Sequence, residues 1–125
     1  MVEFSDSAGF GISPKKVYTI NTGEASNAPI DLGRLYGFIV IACPDALTGA
    51  APGDTYSIRL SYDTDSPMFE LNGDDNEPMA PAMGSAGTFW RRYFVGGARR
   101  VQLVLNTNAT APLTFVILGC DAGVQ

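Results

Sequence analysis

The stretch 87–119, GTFWRRYFVGGARRVQLVLNTNATAPLTFVILG, constrains this chain most, because it holds three apolar segments of strand length separated by two compact breaks. Residues 88–95 are aromatic and β-branched, 101–105 alternate Val, Gln, Leu, Val, Leu, and 113–118 run apolar without interruption. Segments this short and rich in such residues predict strands. Gly96-Gly97 and the polar run 106–112 are expected to turn the chain, since Gly tolerates positive φ, Asn enters the left-handed region and Pro ends pairing. The pattern continues upstream. Strands are expected at 15–20, at 30–32, at 35–43 (LYGFIVIAC, apolar enough to be central), at 55–62 and at 68–71. In 55–62 the residues Tyr56, Ile58, Leu60 and Tyr62 alternate with Ser57, Arg59 and Ser61, so one face meets core and the other water. A loop over 45–54 and a Met/Pro/Ala connection over 79–86 join these pieces.

Fourteen Gly and eight Pro leave no window for a long capped helix. About eight short strands without crossover helices predict an all-β, single-domain antiparallel β-sandwich, jelly-roll-like, over 15–125. Residues 1–14, MVEFSDSAGFGISP, are expected to form an extended N-terminal arm. A frayed end explains its composition, but Phe4 and Phe10 also suit anchors placed on a neighbouring subunit.

Thirteen acidic against eight basic residues give a net charge of −5, a sign that argues against nucleic-acid and anionic-membrane partners. The first residues lack a basic region followed by an apolar one, and no apolar run reaches membrane-spanning length, so a soluble protein made in the cytoplasm is expected. Cys43 and Cys120 each end an apolar strand and are read as buried thiols acting as small hydrophobes.

Candidate sites are few. Seven acids lie between Asp54 and Glu77, and Asp63, Asp65, Asp74 and Asp75 are the candidate oxygen ligands for calcium; solvated turns are the simpler reading, because Pro67 and the absent terminal Glu break the EF-hand pattern. The chain has no histidine, no phosphate-binding Gly loop and no apolar setting that would raise a carboxyl for glycoside hydrolysis. Neither an enzyme nor a cofactor is expected. Arg91, Arg92, Arg99 and Arg100 stand beside Phe89, Trp90, Tyr93 and Phe94, a composition that protein interfaces favour. Against a merely solvated face, these arginines are expected to meet a second copy's acids in a homo-oligomer. A sugar platform built from Tyr56, Tyr62, Trp90 or Tyr93 is the alternative, with Trp90 expected in the core.

Three motifs carry a resemblance to a known group. They are Ala28-Pro-Ile-Asp-Leu-Gly-Arg-Leu-Tyr-Gly-Phe38 with Pro44, Ser61-Tyr-Asp63, and Gly97-Ala-Arg-Arg-Val-Gln-Leu-Val-Leu105. Together, over residues 17–121, they resemble the small jelly-roll or β-sandwich virion structural proteins of tailed bacteriophages, of the head decoration and accessory capsid type. The resemblance implies a non-enzymatic subunit, commonly a homotrimer, that attaches to the major capsid protein lattice and is found in the virion. The acidic middle region departs from that pattern, which leaves a receptor-binding role open.

Overall fold

The computed structural model describes residues 11–43, 54–72 and 89–121. Phe4, Phe10, Asp74, Asp75 and the connections expected over 45–54 and 79–86 therefore lie wholly or largely outside the described residues. Six strands form one antiparallel sheet: β1 (Lys16–Ile20), β2 (Ile30–Cys43), β3 (Tyr56–Ser61), β4 (Phe69–Glu70), β5 (Phe89–Leu105) and β6 (Leu113–Cys120). Their order is β1-β6-β2-β5-β3-β4, which places β2 centrally as its apolar sequence requires. The edges are β1, preceded by Pro14, and the two-residue β4.

Two long strands fold this single sheet over on itself. Strand β2 pairs with β5 through Ile30↔Val101 and Asp31↔Arg100, and the register then shifts twice before Phe38↔Phe94. Four residues of β2, 32–35, lie opposite Arg99 alone, and three of β5, 95–97, then lie opposite Gly37 alone. Each strand bulges in turn, and a bulge bends and twists its strand. Positive φ makes this possible at Gly33 (96°), Gly96 (71°) and Gly97 (121°), where an L side chain would be strained. Gly96-Gly97 thus does not turn the chain between two strands, and 30–32 and 35–43 are not separate: positive-φ glycine serves a bulge as readily as a turn.

Counting each bent strand as two halves gives eight segments in two layers. The first layer contains β1, β6, β2 from Phe38 onward and β5 up to Phe94. The second contains the start of β2, β5 from Arg100 onward, β3 and β4. In chain order the layers read 1-8-3-6 and 2-7-4-5, the winding of a double-sheet jelly roll. The expected fold class is what the structure shows.

Between the layers lie Tyr18, Ile20, Ile39, Ile41, Leu113, Phe115 and Ile117 from the first and Tyr56, Ile58, Val101, Leu103 and Leu105 from the second, all buried. The Tyr56 and Phe115 rings meet across the core at 6.1 Å. Tyr18 also crosses it: its hydroxyl oxygen accepts the Asn27 N–H at 2.8 Å and lies 3.0 Å from the Leu103 carbonyl. Ser26 donates to the same carbonyl at 2.8 Å, so the buried polar atoms here are partnered.

The double bulge is clamped by one carboxylate. Asp31 accepts from Arg99 Nε at 2.8 Å and Nη2 at 3.1 Å, and from the Gly33 N–H at 2.8 Å. Arg34 grips Asp121 in the same two-pronged way at 3.1 and 2.9 Å, joining the bulge to the end of β6. The Arg99 guanidinium and the Gly33 N–H hold the Asp31 carboxyl below the ordinary carboxylate range, and Arg34 does the same for Asp121. A carboxyl held low in the folded chain is ionised where the unfolded one still binds a proton. Its contribution is complete above about pH 4 and disappears as the pH falls through the folded value. Urea melts are accordingly expected to show stability level from neutrality down to about pH 4 and falling below it. Asp31→Asn is expected to flatten that fall, with a loss near neutrality of about 1 kcal/mol or less because the pair is solvent-screened; an unaltered acid profile would remove the clamp.

Candidate functional site

The two outer faces of the sandwich differ in kind. Alternation along β3 and the second half of β5 turns Ser57, Arg59, Gln102 and Val104 outward from the second layer, a mostly polar surface. The same parity in the first layer turns out apolar side chains, and the strand register sets them in rows. Trp90, Ala42, Val116 and Val17 lie opposite one another across β5, β2, β6 and β1. The next row is Arg92, Val40 and Leu118, and a third is Phe94, Phe38, Cys120 and Ile12, the last bridged to Cys120 beyond the end of β1.

This face is open. Trp90 is 67% exposed, Phe94 70%, Ile12 62% and Val17 58%. From strand spacing and residue rise, three rows on four strands cover on the order of 400 Å², within the range of the largest apolar patch on an ordinary monomer, which is often functional. Covering it would release roughly 25 cal/mol per Å² of apolar area, before the cost of association. Arg92, in the middle row, lies with its guanidinium carbon 5.0 Å from the Phe38 ring centre, and Phe94 meets the same ring edge-on at 5.3 Å.

The other three arginines singled out in the sequence bond within their own chain. Arg99 grips Asp31, as above. Arg100 donates to the carbonyls of Asp63 at 2.8 Å and Ser66 at 2.5 Å, binding the 62–66 turn over the outer side of the second layer. Arg91 points inward and donates to the Tyr56 hydroxyl at 3.3 Å; that hydroxyl shares a 2.8 Å hydrogen bond with Tyr93. Burial and the Tyr93 hydroxyl push the Tyr56 phenol well above its ordinary value, so it stays protonated and structural. Arg91, Arg99 and Arg100, expected to meet a neighbour's acids, thus hold partners within their own chain.

The acids also settle into local roles. Asp63 Oδ1 accepts the backbone N–H groups of Asp65 at 2.9 Å and Ser66 at 2.7 Å, a self-capped turn; the Asp65 N–H and Ser66 hold its carboxyl low. Among the described residues, no three of His, Cys, Asp or Glu gather where they could hold a metal. Neither cysteine is in a disulfide: Cys43 is buried toward the core and Cys120 half-buried on the outer face, where burial raises its thiol pKa. Cys120 is thus less enclosed than the sequence suggested.

Of the aromatics considered for a sugar platform, Tyr56 is core and Tyr93 half-buried. Trp90, expected in the core, stands outside instead, because its parity in β5 is that of Arg92 and Phe94. Tyr62 pairs with a residue the sequence did not single out, Phe69: their rings lie 6.1 Å apart and 13° from parallel, both half-exposed. They border a groove of about 230 Å³ with Leu60, Glu70, Asn72 and Val95. The signal for Phe69 was available in the register that sets it opposite Leu60, but not in the sequence.

Compared with known proteins, the chain matches no protein-family model and no curated protein.

Ile117 and Leu118, adjacent in β6, separate the core from this surface. Ile117→Ala is expected to cost about 3 kcal/mol in urea melts. Leu118→Ala is expected to cost about 1 kcal/mol or less. Equal losses of stability would mean that the outer face is packed within the monomer.

Proposed function

We propose that this chain is a non-enzymatic structural subunit of a tailed-phage virion, a head decoration protein that forms a small homo-oligomer and attaches to the major capsid protein lattice. The observation that carries the reading is the apolar outer face of the first layer, where Trp90, Phe94, Ile12 and Val17 stand exposed side by side. The jelly-roll winding and the three sequence motifs that resemble such virion proteins support it, while the fold alone is shared by unrelated functions. Many copies held on a lattice need only weak individual contacts, because multivalency multiplies them. Light scattering on the purified chain is expected to give an oligomer mass that falls on dilution. A monomer at every concentration, together with no binding to undecorated capsids, would overturn the reading.

The Tyr62–Phe69 groove favours a second reading, a glycan-binding module of a fibre, since parallel half-exposed rings beside Glu70 and Asn72 suit the apolar face and hydroxyls of a sugar. Binding on a glycan array that disappears in Tyr62→Ala plus Phe69→Ala, with folding retained, is what this reading expects. No binding by the parent chain would end it.

A further inference from the structure

The geometry points to an occupant for the apolar face: residues 1–10 of a neighbouring copy, laid across the first layer with Phe4 and Phe10 as anchors. Four observations lead there. The first is where the arm begins. Gly11 accepts a hydrogen bond from the Asp121 N–H at 2.9 Å and Ser13 donates its N–H to Gly119 at 2.8 Å, so the chain joins the sheet beside the end of β6, in the row of Cys120 and Phe38. Residues 11–13, expected within the arm, thus lie against the end of β6.

The second is direction. Followed toward the N-terminus, 13 to 11 runs past Gly119 and Asp121, away from the rows that hold Arg92 and Trp90. An arm continuing that way leaves its own face behind and reaches outward. Ten residues span up to about 33 Å, more than twice the roughly 15 Å across four strands.

The third is size. A face on the order of 400 Å² falls short of the roughly 800 Å² per partner of a standard interface between globular surfaces, yet suits one extended segment with two aromatic anchors. The fourth is charge. Residues 1–10 carry Glu3 and Asp6 and neither Lys nor Arg, whereas the face carries Arg92. Face-to-face pairing of two copies would bring like charges together; an acidic arm brings opposite ones.

This inference rests on the reading of the chain as a subunit of an assembly and names the surface by which copies join. The face contains the chain's one tryptophan, so Trp90 emission reports directly on whether it is covered. Emission and light-scattering mass would be measured on the full chain across a dilution series, beside a Phe4→Ser plus Phe10→Ser variant and an Arg92→Glu variant. The expected result is blue-shifted emission in the oligomer that moves red as mass falls on dilution. Self-association should weaken about tenfold or more in both variants, with their melting temperatures at low concentration unchanged. Oligomers whose mass and emission survive Phe4→Ser plus Phe10→Ser would overturn the arm contact and leave the subunit reading standing. A blue-shifted, concentration-independent monomer would overturn the exchange between copies, since the arm would then lie on its own face. A red-emitting monomer throughout would overturn both.

Discussion

The architecture depends on one short region where β2 and β5 bulge against each other and Asp31 binds both sides. Without the bend, strands of 14 and 17 residues would form a long ribbon with nothing to cover its apolar side. With it, the same pair contributes to both layers, and the inward residues of β1 and β6 come to face those of β3. Asp31 receives the Arg99 fork and the Gly33 N–H together, so one side chain fixes the bulged backbone of β2 to the opposite strand. The interaction is exposed and individually weak. Its importance is geometric, since it acts where a small change of backbone angle is carried along two whole layers.

Inside that frame the molecule keeps its polar groups satisfied and its core continuous. Tyr18, Tyr56 and Tyr93 bring hydroxyls to the interlayer space, and each finds a partner there. Arg91 joins them as a donor at the margin of the core. No described buried side-chain nitrogen or oxygen is left without a hydrogen bond. The apolar material on the first layer's outside is unlike the interior: it lies beyond the packing between the two layers, and much of it is exposed.

How much of this the sequence revealed varied with the physics involved. The central position of β2 was legible because LYGFIVIAC is apolar at every position; the structure shows that both of its faces are apolar, one inside and one out. The inward set Tyr56, Ile58 and Leu60 followed from alternation alone. Gly96-Gly97 was not legible as a bulge, because glycine at positive φ is equally at home in a hairpin. In β5, Phe89, Arg91 and Tyr93 alternate with Trp90, Arg92 and Phe94, two sets of the same composition, so no periodicity argument could say which faced water. The pairings Asp31 with Arg99 and Tyr62 with Phe69 depend on tertiary register, as does the contrast between the two outer faces.

The two edges of the sheet have a consequence for how such a molecule ages in concentrated solution. A strand edge is a template for runaway growth, since any extended chain can add to it by backbone hydrogen bonds alone. Here one edge is a two-residue strand, and the other is preceded by Pro14, which has no N–H to donate. Neither offers a long uninterrupted ladder. At these two ends association is thereby left to side chains, whose contacts can be saturated, and is discouraged in the backbone, where saturation has no natural limit.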